Sequence, residues 1–361
     1  MKRSWIRIVA ILGVAWAANA QAEPWFAVEQ GLKCGACHVN PTGGGMRNTF
    51  GNTWSQRVLP AHQLDTGGFD WTGALSEHIA LGGNVRASAT YDDVPNQDST
   101  SEFDIDEARV YLLLEPIPQR LSLYIDERVA PGSADNRELW AQFWWSDRSW
   151  YVKAGQLYLP YGLRLEDDTA FVRQVPGINM TTPDRGIELG FEGVHWTAQL
   201  AVTNGSAGSA ETDNGKQASA RAEYVASAWR LGLAASFNDA DAGSRSLGGV
   251  FAGVRTGPIA WLAEADYITD DALGDSGRDQ WVGLVEANWA FAPGHNLKAT
   301  AEYFEPDVDV DEDEQNRWSL VWEFVPVQFV QIRTGVRSYD GIPQNDLQNR
   351  TTAFVQLNAY F

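Results

Sequence analysis

Residues 229–237 read Trp-Arg-Leu-Gly-Leu-Ala-Ala-Ser-Phe and alternate between large apolar and polar or small side chains. Successive side chains of a β-strand point to opposite faces, so this period of two predicts a strand with one apolar face. That face carries Trp229, Leu231, Leu233 and Phe237, and the opposite face carries Arg230 and Ser236. Runs of this kind and of about ten residues suit strands that cross a membrane at a tilt.

The same alternation recurs along the chain from about residue 77 to the end. Counting such runs predicts about sixteen strands. Their first residues lie near Glu77, Glu102, Gln119, Asn136, Arg148, Arg185, Val194, Gln217, Trp229, Ser246, Pro258, Gln280, Asn296, Arg317, Val327 and Arg350. Short connections such as residues 146–148 alternate with long ones such as residues 160–184. Outer-membrane barrels have short periplasmic turns and long outer loops, so this rhythm predicts an all-β, antiparallel β-barrel of that class.

The last strand adds a separate signal. One of its faces carries Thr351, Ala353, Val355, Leu357, Ala359 and Phe361. A terminal aromatic residue after an alternating strand resembles the recognition signal of outer-membrane barrel proteins. Soluble β-sandwiches and soluble barrels also alternate with a period of two. The rhythm of the loops and Phe361 favour the membrane barrel.

The first 22 residues have the features of an export signal. Lys2, Arg3 and Arg7 precede a short apolar run, and small residues at 18–22 offer cleavage after Ala20 or Ala22. Without these three basic residues the net charge of -20 becomes -23. Such an acidic protein is not expected to bind nucleic acid, because phosphate contacts need a basic surface.

The two cysteines of the chain lie in the sequence Cys34-Gly-Ala-Cys37-His38. This C-x-x-C-H spacing is typical of covalent c-type haem attachment, in which both thiols bond to one haem and the histidine ligates its iron. A disulfide, a thioredoxin-like redox pair and a zinc site are the alternatives. A zinc site would need a fourth ligand. The motif predicts one covalent haem c, with Cys34 and Cys37 as anchors and His38 as the proximal ligand.

Aromatic residues near the motif could cover a haem, and they are Trp25, Phe26, Phe50 and Trp54. Glycines in residues 43–45 allow the backbone to approach a flat ligand. The second axial ligand is left open between His62, which would give bis-histidine iron, and Met46, which would raise the potential. His78 is a weaker candidate. An open sixth position is the remaining alternative.

Charged residues on the polar faces of the strands are expected to line the barrel interior. They include Glu107, Arg109, Asp126, Arg128, Lys153, His195, Arg230, Glu264, Asp266, Lys298, Glu302, Glu323, Arg333 and Arg337. A polar interior of mixed sign suits a wet or plugged lumen. No catalytic triad or phosphate-binding loop stands out.

The layout resembles the porin–cytochrome fusions of bacterial outer membranes, in which a single-haem segment precedes a porin-type barrel. The likeness is carried by Cys34, Cys37 and His38 after the leader, and by the strands that end at Phe361. Residues 155–162 are also similar to phosphate-selective-type porins. The best known fusions pass electrons from extracellular ferrous iron inward, so the resemblance implies electron transfer with ferrous iron as a candidate donor.

The sequence therefore predicts a signal peptide (1–22), a small irregular or helical haem segment (23–73) and a barrel (74–361). The expected function is transfer of single electrons between an extracellular donor or acceptor and periplasmic carriers such as cytochromes. The expected location is the outer membrane, with its lipid around the barrel and the haem segment in the periplasm or the lumen. The alternatives are a diffusion porin with a haem-bearing cap, and peroxide-type chemistry at an open haem position.

Overall fold

A closed antiparallel barrel is the main body of the protein. The computed structural model describes residues 23–271 and 277–361, so the predicted signal in residues 1–22 lies outside the described part. Within that part, sixteen strands pair each with its neighbours in sequence, and β1 pairs with β16 to close the barrel. The strands are β1 (Ile79–Asp93), β2 (Thr100–Ile117), β3 (Leu121–Ala130), β4 (Asp135–Trp145), β5 (Trp150–Leu157), β6 (Asp184–Glu192), β7 (Trp196–Thr203), β8 (Gln217–Val225), β9 (Trp229–Ala240), β10 (Gly243–Thr256), β11 (Ile259–Asp270), β12 (Arg278–Ala292), β13 (His295–Glu305), β14 (Gln315–Phe324), β15 (Val330–Asp340) and β16 (Thr351–Tyr360).

The predicted fold class and strand number are confirmed. Every predicted strand start lies within three residues of the observed one, and the largest differences are at β10 and β15. The prediction for His195 was wrong in detail. His195 lies in the turn before β7, where its Nδ1 is 3.0 Å from the carbonyl oxygen of Val225, and not on a strand facing the lumen.

The two faces of the strands divide by polarity as the alternation predicts. On β9 the outward residues Trp229, Leu231 and Leu233 are exposed, and Leu233 reaches 64% exposure. Arg230 on the same strand is buried in the interior, where its Nη2 donates to Glu223 at 2.9 Å. An apolar exterior with a charged interior is the arrangement of a transmembrane barrel.

Three short helical pieces precede the barrel: α1 (Pro24–Gln30), one 3-10 turn (Cys34–Ala36) and α2 (Thr49–Arg57). Proline at the first position suits the start of α1, and Gly31 ends it in the left-handed conformation with φ +63°. No helix in residues 23–271 and 277–361 is long and apolar enough to cross a membrane.

Residues 23–73, called the N-terminal segment below, lie inside the barrel at the end that carries the short turns. Lys33 Nζ donates to Glu192 Oε2 at 2.6 Å at the end of β6. The backbone amide of Ala61 donates to the Val325 carbonyl at 2.8 Å beyond β14. These contacts on separate turns hold the segment across the barrel mouth.

The lumen beyond this segment is filled by residues 158–183, called the lumen loop below. The sequence predicts a long connection here, and the structure shows that it folds inward between β5 and β6 and carries a short helix, α3 (Phe171–Gln174). Its apolar side chains are covered inside the barrel, including Leu163, Leu165 and Val172. Interior carboxylates accept its backbone amides: Glu264 Oε2 accepts from Leu163 at 2.7 Å and Glu302 Oε2 accepts from Phe171 at 2.6 Å.

Candidate haem-binding site

The Cys-x-x-Cys-His motif forms a single tight turn directly after α1. The backbone amides of Cys37 and His38 donate to the carbonyl of Cys34 at 3.1 and 3.0 Å. This turn places both cysteine side chains on the wall of one cavity, together with His38. The two cysteines are not joined by a disulfide, and both are partly exposed.

Asn48 joins this turn to α2. Its side-chain Oδ1 accepts from the amide of Gly51 at 3.0 Å, which caps the helix, and its Nδ2 donates to the carbonyl of Ala36 at 3.0 Å. The helix also approaches the motif so closely that a Cβ at Gly51 would clash with the carbonyl oxygen of Cys37. The sequence analysis did not predict this role of Asn48, although an asparagine before a helix is a typical cap.

His38 is buried, with 6% of its surface exposed. Burial, with a smaller effect of the nearby Arg47 charge, lowers the pKa of His38 to about 4. The imidazole is therefore neutral at neutral pH, which is the form that ligates a metal. Its Nδ1 is buried and has no hydrogen-bond partner among the described residues.

The enclosed free space of the cavity is small, about 40 Å³. Apolar rings and chains form much of its wall, with glycines at one side; these residues are Phe26, Leu32, Trp54, Leu59, Gly43, Gly44 and Gly51. At Gly43, where φ is +91°, a Cβ would lie 3.3 Å from the Cβ of Cys34, so the backbone leaves room beside the thiol. A mostly apolar wall with a few polar groups converging on it is typical of small-molecule and cofactor sites.

The aromatic residues predicted to cover a haem are only partly brought together. Phe26 and Trp54 both line the cavity and meet edge to face, with ring centroids 5.4 Å apart. Trp25 is buried nearby but is not part of the wall, and Phe50 is 49% exposed.

None of the candidate distal ligands lines this cavity. Met46 is buried, and its backbone amide donates to the Tyr124 hydroxyl at 2.9 Å. His62 is exposed at the barrel mouth, where its amide donates to the Pro326 carbonyl at 3.0 Å. His78 is exposed at the start of the barrel. Among the described residues of the cavity wall, His38 is the one histidine and there is no methionine. The distal ligand stays a prediction.

The residues present fit a covalently bound haem. Two thiols for thioether bonds, a neutral buried imidazole with an unpartnered Nδ1, and an apolar cleft meet at one place. No group of three or more His, Cys, Asp or Glu side chains suited to hold a bare metal ion occurs in the described ranges.

A second, larger groove of about 630 Å³ lies on the outer side of the motif. It is bounded by Gly35, Ala36 and His38 on one side, and by barrel residues at the short-turn end that include Trp144 and Arg148 on the other. The motif thus separates the inner cavity from a groove at the barrel mouth.

Comparison with solved structures finds outer-membrane porins. OprB of Pseudomonas putida matches with a TM-score of 0.63 and 10% identity over 79% of this chain and 94% of that one. An anion-selective porin from Comamonas acidovorans matches with a TM-score of 0.62 and 10% identity over 78% of this chain and 99% of that one. OmpT, an outer membrane protein of Vibrio cholerae, matches with a TM-score of 0.60 and 11% identity, again over 78% and 99%.

Comparison with protein-family models and with curated proteins finds no match. The structural matches share the barrel architecture, and at this level of identity they establish the fold alone.

Proposed function

We propose that this chain is a c-type cytochrome of the bacterial outer membrane, which passes single electrons between an extracellular donor or acceptor and periplasmic carriers. The observation that carries the proposal is the convergence of Cys34, Cys37 and the buried His38 on one cavity inside a porin-type barrel. A haem c held there would supply one-electron redox chemistry.

The outward apolar face of the barrel supports a position in a lipid bilayer. Large apolar side chains such as Leu233 and Leu320 are exposed along the strands, where water would be an unfavourable surrounding. Short turns face the periplasm in barrels of this class. The N-terminal segment spans the short-turn end, so the motif would lie at the periplasmic mouth.

Contacts within the chain hold the Cys-x-x-Cys-His turn in place and partly shield it from solvent. Lys33 and Ala61 tie the N-terminal segment to barrel turns, and Asn48 fixes the turn that carries the cysteines. The outer groove next to His38 gives a periplasmic carrier a place to approach the motif. Electron transfer requires only that the carrier comes close to the haem. No substrate has to enter the inner cavity.

The filled lumen favours electron passage over solute diffusion. The N-terminal segment and the lumen loop are joined inside the barrel, where Arg164 Nη2 donates to Thr42 Oγ1 at 3.1 Å. The acidic outer loop at residues 307–314 would raise the local concentration of cations, and ferrous iron is the candidate donor on that side.

The test uses full-length protein expressed in a host that matures c-type cytochromes. Haem should remain on the chain in a denaturing gel, and the C34A/C37A variant should lose it while keeping the barrel's circular dichroism. Proteoliposomes that enclose a soluble cytochrome c should then show its reduction when an impermeant donor is added outside. Wild-type protein without covalent haem, or no transfer across the vesicle wall by haem-loaded protein, would refute the proposal.

A diffusion porin with a haem-bearing cap is the second candidate, and the porin architecture of the structural matches favours it. Conductance in planar bilayers separates the two. Steady open-channel conductance in the haem-loaded protein supports the porin, and low conductance with electron transfer supports the cytochrome. A high-spin haem that reacts with peroxide would instead support chemistry at an open position.

A further inference from the structure

Four charged side chains line the inner cavity, and they differ in how they are neutralised. Glu23 pairs with Lys298 and with Arg333, and Lys33 pairs with Glu192 at 2.6 Å. The other two are Arg47 and Arg164. Neither has a carboxylate within ion-pair distance among the described residues.

Arg47 comes from the loop just before α2 and is 8% exposed. Its guanidinium carbon lies 4.3 Å from the centre of the Tyr360 ring, and its Nη1 donates weakly to Ser55 Oγ at 3.5 Å. Its Nη2 is buried and has no hydrogen-bond partner in the described part of the chain. Burial lowers the pKa of Arg47, and the opposing effects of Tyr360 and Tyr111 do not offset it.

Arg164 comes from the lumen loop and is also 8% exposed. Its Nη2 donates to Thr42 Oγ1 and to the Leu159 carbonyl at 2.8 Å, which are neutral acceptors. Its Nε is buried without a partner in residues 23–271 and 277–361. Burial lowers the pKa of Arg164 to about 10.

Other buried arginines in the lumen are paired with carboxylates. Arg109 Nε donates to Asp126 at 2.8 Å, and Arg317 Nε donates to Glu302 at 2.6 Å. Burial of an unpaired cation is costly, and folded proteins avoid it unless an anion is supplied. Two such cations on one cavity wall, beside two thiols and a histidine, indicate that the cavity receives an anionic ligand.

We infer that Arg47 and Arg164 bind carboxylates of the ligand in this cavity, which for haem c are its two propionates. This inference rests on the proposed function. Arginine is suited to this role because its planar fork can give a carboxylate two hydrogen bonds. Arg164 belongs to the lumen loop and Arg47 to the N-terminal segment. The bound group would therefore join these two parts, and two positive charges would lie beside it.

Removing either cation should favour the ferric state, because the oxidised haem carries one more positive charge. We expect R47Q and R164Q each to lower the equilibrium constant for haem reduction about tenfold, which is 59 mV for a one-electron couple. R47K and R164K keep the positive charge, so their midpoint potentials should stay close to that of the wild type. R57Q is the matched control, since Arg57 is an exposed residue of α2 that pairs with Asp70.

The readouts are the midpoint potential from spectroelectrochemistry and the propionate bending modes in resonance Raman spectra. The inference would be overturned if haem-loaded R47Q and R164Q both had the same midpoint potential and the same propionate modes as R57Q. If one variant does not fold, the other decides. Haem-free wild-type protein would refute the proposed function itself. If apo-protein binds acetate through these arginines but the haem potential does not change, the anion is a solute and not a propionate.

Discussion

Replacement of Lys298 by methionine should release the N-terminal segment from the barrel. Lys298 is 6% exposed on β13 and lies between two carboxylates: it pairs with Glu23 of the segment, and with Glu323 of the barrel at 2.8 Å. Arg333 is the other cation that contacts both, at 3.5 and 3.4 Å. Methionine has a similar volume, so the change removes the charge and leaves the packing.

The magnitude follows from the loss of one partner in a buried ion network, which costs about 3–5 kcal/mol. Since each 1.4 kcal/mol is a factor of ten, the detached population of the segment should rise by roughly one hundred-fold to a few thousand-fold. The barrel hydrogen bonds are separate from this network. The loss should therefore appear as local opening of the segment and not as unfolding of the barrel.

Native-state hydrogen exchange measures this opening directly. The amides of Phe26 and Leu32, which donate to Glu23 and Ala27, should lose protection by this same factor, and barrel amides such as that of Leu262 should keep theirs. K298M/E323Q restores the balance of charge and should recover part of the loss. The control is K216M, which removes an exposed lysine paired with Glu211. Equal protection in K298M and K216M would refute the view that this network holds the segment in place.

Three further predictions test other parts of the molecule. Leu233→Arg, on the outward face of β9, should destabilise the folded barrel in lipid by about 2–4 kcal/mol. The control is Leu347→Arg in an outer loop, which should have little effect on stability. Equal effects of the two substitutions in urea titrations of vesicle-bound protein would contradict a lipid-facing Leu233. Gly51→Ala should push α2 away from Cys37 and lower the free energy of unfolding by about 1–3 kcal/mol. The readouts are a lower haem content and a lower melting temperature. The control is Thr53→Ala, on the exposed side of α2. Burial and the nearby Glu305 carboxylate raise the pKa of Asp313 to about 6. The folded outer loop therefore favours protonated Asp313, so its stability should fall as pH rises from about 4 to about 6 and level off above that; a carboxyl titration by NMR with a midpoint near the ordinary value would contradict this.

The sequence alone was sufficient for the barrel. Strand alternation, as in residues 229–237, is a local property, since each residue's face follows from its neighbours two positions away. The rhythm of short and long connections is local as well, which is why the predicted strand starts lie so close to the observed ones. His195 was misplaced because alternation continues across a short turn and does not mark where the strand begins.

The candidate site was predicted only in part. Cys34, Cys37 and His38 could be found because they stand together in the sequence at the C-x-x-C-H spacing that is typical of covalent haem attachment. Arg164 could not be found in this way. It lies more than a hundred residues from the motif and reaches the cavity only because the lumen loop folds inward, where barrel carboxylates accept the loop's amides.

The amino-acid sequence was enough to predict a membrane barrel built of strands and to locate the Cys-x-x-Cys-His motif. Both signals, the period-two alternation and the five-residue motif, depend only on neighbouring positions. Three features became visible only in the folded chain: the motif lies within the barrel mouth, the lumen loop folds into the space behind it, and Arg47 and Arg164 line one cavity. Those features depend on contacts between distant segments inside a closed sheet, and no local pattern encodes them.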